Sequence, residues 1–352
     1  MRYIVAMDSF KGSLTSEEAG KAVADNLKSH DEEAEIKVLS VSDGGEGMLD
    51  AFCKATHATR LSVSTRDALM RRIEAQYAIT PDGTAIIEVA QACGLMHIEH
   101  EQRNPMRTTS YGVGLLVADA LRHNCHKMII GLGGSATSDA GIGMLRALID
   151  TFAPEDHFNA IRPLFDNCEV ILASDVTNPL YGINGAAHVF AKQKGATSSM
   201  IETLDARAKQ FALHTKRAMG FDKSMQPGAG AAGGLGYAFM QFLNAKMQSG
   251  AELLLHLLQF DKLLAHADIV ITGEGKSDCQ TLMGKLPAVI MQHAHQHHLP
   301  TLLLSGQIED HDSLITAGFK AACAVTPSNM LLEEAMIPEK AKANIRDFPL
   351  PI

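Results

Sequence analysis

Three short polar loops carry the residues best suited to chemistry. Asp8, Ser9 and Lys11 lie in Asp8-Ser9-Phe10-Lys11-Gly12-Ser13, directly after an apolar run at 2–7. Asp43 and Glu46 follow an alternating stretch at 35–41, and Glu274, Lys276 and Asp278 follow an apolar run at 268–272. If the three runs are parallel strands of one sheet, their loops converge on one rim at the strand carboxyl ends. Carboxylates gathered there suit Mg2+ and a base that takes a hydroxyl proton, and Lys11 or Lys276 would neutralise phosphate charge. Taken singly, each reads more readily as a cap or a solvated loop residue; their convergence is what points to a site. Asp175, in Asp175-Val176-Thr177-Asn178-Pro179, heads a similar loop after a run at 169–174.

The strongest local pattern is Gly131-Leu132-Gly133-Gly134-Ser135-Ala136-Thr137-Ser138-Asp139, between an expected strand at 127–132 and an expected helix at 139–149. Glycines let backbone N–H groups aim at an anion, and a helix N-terminus adds partial positive charge. Gly131, Gly133, Gly134, Ser135 and Ala136 are therefore candidate phosphate ligands; the alternative is a tight turn capped by Asp139. A dinucleotide fingerprint fits neither this loop, where no acid follows at the next strand end, nor Gly228-x-Gly230-x-x-Gly233, which no strand precedes. Gly275-Lys276-Ser277 lacks the first glycine of a P-loop, since Val270 stands there. The five glycines in 227–236 permit close backbone approach to a ligand or a neighbouring element, or form a flexible hinge. Arg107, Thr109 and Ser110 end a loop and open a helix, which is either a carboxylate clamp or ordinary capping. His293 and His297 share a helix face without the HExxH pattern and read as a solvated helix end.

The elements that must position these loops are legible as short runs. Thr15-Ser16-Glu17-Glu18 is a capping box, followed by Ala19, Val23 and Leu27 at helical spacing. Strand–loop–helix then repeats, as at the start of a parallel sheet. Runs at 61–66, 73–79 and 84–90, with Pro81-Asp82-Gly83 between the last two, change the rhythm to hairpins. After about 260 the βα rhythm returns, with strands expected at 268–272, 301–305 and 320–325. The expected fold is α/β with two domains. Both chain ends, 1–66 plus 263–352, form a Rossmann-like parallel-sheet domain, and 67–262 forms an inserted mixed α/β domain. The tail at 346–352, with two prolines, is expected to fray.

Composition narrows the class. The chain has 352 residues, of which 46% are hydrophobic and 20% charged, so it is a globular protein and not a disordered one. Acids outnumber Lys plus Arg by 40 to 31, which argues against nucleic acid as a general partner. The six cysteines are scattered and suit no zinc site; they read as reduced core thiols. No apolar stretch reaches membrane-spanning length and no signal peptide is visible, so a cytoplasmic protein without a membrane partner is expected.

Six blocks together resemble the type I glycerate kinases: DSFKGSLT at 8–15, SDGGEGM at 42–48, GLGGSATSDAGIGML at 131–145, SDVTNPLYGINGAA at 174–187, PGAGAAGGLGYAF at 227–239 and TGEGKSDCQT at 272–281. The resemblance covers nearly the whole chain. It implies a two-domain α/β enzyme that makes 2-phosphoglycerate from D-glycerate and ATP with Mg2+, in organic acid catabolism, as a monomer or homodimer. Under it, the phosphates fall to Gly131, Gly133, Gly134, Ser135, Ala136 and Lys276. Lys11 stabilises the transferred group, and Asp43 or Asp175 takes the hydroxyl proton. Glu274 and Asp278 hold Mg2+, and Asp8, Ser9, Arg107, Thr109 and Ser110 bind the hydroxy acid. Ser138 and Ala140 stand where the family shows Asn and Gly, 148–163 is shorter than usual, and the run after Ala335 has lost much of the last helix, expected to pack away from the loops. The rival readings are another small-molecule kinase, since GLGGSA is similar to the GLGSSA loop of the galactokinase–homoserine kinase superfamily, and a non-catalytic nucleotide or hydroxy-acid sensor.

Overall fold

The computed structural model describes residues 1–352 apart from Asp43, Glu46 and 153–157. The expected base Asp43, its neighbour Glu46 and part of the shortened stretch at 148–163 therefore lie outside the described residues. The chain divides into two compact units, Met1–Asp43 with Ala251–Ile352, and Gly44–Gly250.

The first unit is built on a five-stranded parallel sheet. Its strands are β1 (Arg2–Met7), β2 (Glu35–Val38), β9 (Ile269–Gly273), β11 (Thr301–Ser305) and β13 (Ala321–Ala324), in the order β13-β11-β9-β1-β2. β9 and β11 are buried at every position, as continuous apolar runs in a parallel sheet should be. β1 continues to β2 on one side, whereas β9 pairs on its other side, Met7 opposite Gly273. Strand order thus reverses between β1 and β9, and such a switch point opens a crevice at the carboxyl ends of the strands. The expected capping box forms: Glu18 N–H donates to Thr15 Oγ1 at 3.2 Å while Glu18 Oε2 accepts from Thr15 N–H at 3.0 Å. The helix it opens, Ser16–His30, buries Ala19, Val23 and Leu27. The short strands β10 (Lys276–Ser277) and β12 (Gln307–Ile308) pair with each other just beyond the sheet.

The C-terminal segment corrects two expectations. The helix Pro338–Arg346 lies on Ser16–His30, and Asn26 Nδ2 donates to the carbonyls of Ile345 at 2.9 Å and Phe348 at 2.7 Å. Phe348 and Leu350 pack on the first unit's core, so the tail is held well past Arg346. Ala341 and Asn344 of this helix also line the cavity at the strand carboxyl ends, so it does not sit away from the loops.

The second unit carries a six-stranded mixed sheet in chain order. Its strands are β3 (Thr59–Arg66), β4 (Arg72–Ile79), β5 (Thr84–Glu88), β6 (Lys127–Gly131), β7 (Glu169–Ala173) and β8 (Lys246–Gln248). β3, β4 and β5 are antiparallel neighbours, and β5 to β8 run parallel. β3 pairs with β4 from Thr59 opposite Ile79 to Arg66 opposite Arg72. That ladder draws 59–66 into the second unit, so the compact units part at 43/44 and 250/251, not at 66/67 and 262/263.

Candidate active site

A cavity of about 400 Å³ opens at the carboxyl ends of β1, β9, β11 and β13, within the first unit. Five of the sequence-derived candidates line it: Asp8, Ser9, Lys11, Glu274 and Lys276. The loop after β1 is a closed turn, with Phe10 N–H bonded to the Leu14 carbonyl at 2.8 Å and Ser13 N–H to the Phe10 carbonyl at 2.7 Å. Gly12 at its tip has φ +78°, a conformation that suits glycine. This turn leaves Lys11 exposed beside it, while Asp8 is buried and its Oδ1 accepts from Ser9 N–H at 2.8 Å.

Glu274, buried at the end of β9, is held from three sides. Its Oε1 accepts from Thr281 Oγ1 at 2.6 Å and Ser277 Oγ at 3.0 Å, and its Oε2 faces Lys285 Nζ at 3.3 Å. Ser277 in turn shares a hydrogen bond of 2.7 Å with Ser305 at the end of β11. Thr281, Lys285 and Ser305 escaped the sequence reading, because nothing in their spacing marks them as partners of one carboxylate. Lys276 pairs with Glu309 at 2.9 Å, and that bond raises its pKa. Asp278 does not line the cavity; its Oδ1 accepts from Gln280 N–H at 2.8 Å and it closes the turn into Thr281–Met283. Two buried carboxylates, Asp8 and Glu274, thus share the cavity with three lysines. Mg2+ bound through one or two carboxylates and substrate phosphates fits such a donor set. Among the described residues no group of three or more His, Cys, Asp and Glu side chains forms a protein-only metal cage.

The second unit gathers the other candidates around the loop after β6. A Cβ on Gly133 would lie 2.3 Å from Gly45 Cα, and one on Gly131 would lie 2.6 Å from Met48 Sδ. These glycines are required by backbone packing whether or not an anion binds. Gly134 has φ +73°, and a Cβ there would lie 3.2 Å from Ala90 Cβ. Behind the loop lies Lys194, 3% exposed, whose Nζ donates to the Thr137 carbonyl at 2.7 Å and to Ser135 Oγ at 3.2 Å. Burial pulls its pKa down to about 8, against the opposing pull of Cys93 and Asp139. Lys194 is the most conspicuous omission of the sequence reading: it sits in a polar stretch beside Lys192 with no pattern to mark it as buried.

Asp139 is a structural hub. Its Oδ2 accepts from Ser110 N–H at 2.8 Å, Ser110 Oγ at 2.9 Å and Gly143 N–H at 3.1 Å, and its Oδ1 from Gly141 N–H at 3.1 Å. The following helix therefore begins at Ile142 instead of 139. Ser110 is fully buried and Thr109 Oγ1 reaches Asp139 at 3.4 Å, so both hydroxyls brace the N-termini of the Tyr111–Arg122 and Ile142–Phe152 helices. Arg107 is exposed. Asp175 is half-buried in the loop after β7, where Ser174 N–H bonds to the Gln248 carbonyl at 3.1 Å. The glycine-rich segment at 227–236 is tightly packed: a Cβ on Gly233 would lie 1.9 Å from the Thr137 carbonyl oxygen, and Ala140 N–H donates to the Gly233 carbonyl at 3.0 Å. It supports the loop at 137–140, and the hinge alternative falls.

His293 is likewise no solvated helix end. It is 18% exposed and bridges Asp261 at 2.8 Å and Glu252 at 3.1 Å. Burial pulls its pKa down, but the Asp261 and Glu252 carboxylates outweigh it and the net shift is upward. All six cysteines are free, and one of them, Cys279, is exposed. Among the described residues no helix is long and apolar enough to cross a membrane.

Comparison with known proteins is consistent along the whole chain. The sequence model of the glycerate kinase family matches residues 3–349. A glycerate 2-kinase of Escherichia coli K12 is 36% identical over 354 residues, covering 95% of this chain and 93% of the relative. A glycerate kinase of Halalkalibacterium halodurans is 36% identical over 352 residues with the same coverage. The crystal structure of a protein assigned as glycerate kinase 2 of Salmonella typhimurium LT2 is similar with a TM-score of 0.76 and 33% identity, covering 98% of this chain and 95% of that one. The chain belongs to the glycerate kinase family, and it is an enzyme of the kinase class.

Proposed function

We propose that this kinase transfers the γ-phosphoryl group of ATP to the 2-hydroxyl of D-glycerate, giving 2-phosphoglycerate and ADP, as a cytoplasmic step of organic acid catabolism. The observation that carries the reading is the cavity at the β1–β9 switch point, where Asp8 and Glu274 meet Lys11, Lys276 and Lys285. Phosphoryl transfer asks a protein for in-line positioning, charge neutralisation and a proton acceptor. The glycerate 2-hydroxyl oxygen attacks the γ-phosphorus, the bond to the β,γ-bridging oxygen breaks, and the hydroxyl proton passes to a carboxylate.

Lys11, carried on the rigid turn after β1, stabilises the charge of the transferred group. Glu274 and Asp8 would hold Mg2+, which would supply charge neutralisation for the phosphates when bound. Asp8 takes this role in place of Asp278, which does not line the cavity. Backbone N–H groups at Gly134 and Ser135 meet phosphate oxygens, with Lys194 bracing the loop beneath them through Ser135 Oγ and the Thr137 carbonyl. Asp175 or Asp43 accepts the hydroxyl proton, and Arg107 pairs with the glycerate carboxylate.

The test is coupled ADP release over a panel of hydroxy acids, followed by phosphorus NMR of the product. Turnover with D-glycerate and a phosphate coupled to the proton on carbon 2 is expected. A product phosphorylated on carbon 3, or no turnover with any hydroxy acid, overturns the reading.

A further inference from the structure

The first unit's cavity is lined by apolar side chains as well as charged ones, and neither glycerate nor a phosphate chain matches the apolar part. We propose that the apolar lining of Val325, Met330, Leu332, Ala335 and Met336 receives the purine ring of the nucleotide. The proposal rests on the kinase reading and adds a nucleoside subsite to it.

The cavity lining is amphipathic. Three lysines and two carboxylates supply charge suited to a phosphate chain, and Val325, Met330, Leu332, Ala335 and Met336 supply aliphatic and thioether surface. Glycerate offers no apolar face to such a wall, whereas a purine offers two. A flat ring lined by apolar side chains with a few convergent polar groups is the usual form of a small-molecule site, and 400 Å³ lies within its size range.

The apolar wall is also left uncovered. Leu332 is 61% and Met336 40% exposed, although both line a cavity. Large apolar side chains standing open beside a concave site mark a surface that a ligand covers. Methionine suits this role, because its flexible, polarizable thioether adapts to an aromatic face. A Cβ on Gly12 would come within 3.0 Å of Met336 Cε, so Met336 lies over the turn that carries Lys11. Asn344 supplies the polar group. Its side chain lines the cavity, its Nδ2 lies 3.5 Å from Met330 Sδ, and an amide presents both donor and acceptor to a base edge.

The test compares two probes, ATP and inorganic tripolyphosphate, which has the charge without the base. The double variant Leu332→Ser, Met336→Gln keeps the charge of the chain and changes exposed positions; Ala335→Phe fills the cavity instead. Titration calorimetry is expected to show ATP affinity falling by about tenfold or more in either variant, with tripolyphosphate affinity within about twofold of the parent. Equal weakening of both probes, or unchanged ATP affinity in variants whose circular dichroism melts match the parent, overturns the subsite. Glycerate turnover is read separately on the parent enzyme. An inactive parent that prefers ATP over tripolyphosphate in this base-dependent way defeats the kinase reading and leaves the subsite standing. An active parent whose variants keep the ATP KM does the reverse.

Discussion

The Asp139 carboxylate and Ser110 are joined twice, through the Ser110 amide at 2.8 Å and its hydroxyl at 2.9 Å. The same hydroxyl accepts from Met144 N–H at 3.0 Å. One serine–aspartate pair thus satisfies the first turns of two helices and anchors the end of the loop after β6.

Asp139→Ala removes the five hydrogen bonds that its carboxylate accepts and strands buried donors. We expect a loss of roughly 2–4 kcal/mol in urea unfolding. Ser110→Ala should cost about 1–2 kcal/mol, and the double variant less than the two losses added together. Strict additivity would show that the two residues act separately.

Lys11→Met should lower kcat by roughly two to three orders of magnitude, about 3–4 kcal/mol of transition-state stabilisation, without a change in melting temperature. Lys11 is exposed beside Gly12 in a turn closed by backbone bonds of Phe10, Ser13 and Leu14, so the turn forms without its side chain. A variant that keeps a tenth or more of parental turnover would remove Lys11 from the reaction.

Gly133→Ala and Gly134→Ala test different demands. At 133 the new methyl meets Gly45 backbone at 2.3 Å, so the loops must part, and a loss of about 2 kcal/mol or more is expected. At 134 the cost is mainly that of φ +73° for a residue with a Cβ, with a tight 3.2 Å contact to Ala90 Cβ added, about 1–2 kcal/mol. Urea midpoints of the two variants decide the order.

Lys194 gives the enzyme a stability that depends on pH. Its pKa falls from the usual 10.5 when unfolded to about 8 when folded, so between these values the unfolded chain binds more protons and stability rises with pH. From pH 8 to 9 the parent should gain roughly 1 kcal/mol relative to Lys194→Met. Above pH 9 the Cys93 thiol, pushed up to about 12 mainly by burial, works in the opposite sense. A constant difference between the two proteins from pH 7.5 to 9 would show that Lys194 is not titrating there.

His293 acts at lower pH and with the other sign. Its folded pKa is raised, so the stability it supplies is complete below the unfolded value of 6.5 and is lost as pH rises through the folded value. His293→Gln should therefore cost more at pH 5.5 than at pH 8.5, by a few tenths to about 1 kcal/mol. An equal cost at both values would assign the residue to packing alone.

The elements were legible where the physics is local. β1, β9 and β11 are continuous apolar runs, and the strands fall within a residue or two of the runs. Thr15 and Glu18 announce their helix because a capping box is complete within four residues. β8 was missed because three residues of mixed polarity carry no period. The helix start at Ile142 was misplaced because Asp139 caps two helices at once, and its second partner lies 29 residues earlier. Of the site, Asp8, Lys11 and Glu274 could be read from their places after strands. Lys194, Lys285 and Ser305 could not, since each is defined by what tertiary packing brings to it.

The pairing of β1 with β9 joins residues 266 positions apart, Tyr3 to Ile269 through Met7 to Gly273. A ribosome therefore releases the first strand of the sheet long before its neighbour exists. Residues 44–250 have their own sheet and core and can condense meanwhile, leaving β1 with only β2 beside it. The first unit is begun first and closed last, once β9, β11, β13 and the Pro338–Arg346 helix have emerged. Such a long loop closure makes this step slow, and an exposed β1 in the waiting chain is the natural point of engagement for a chaperone.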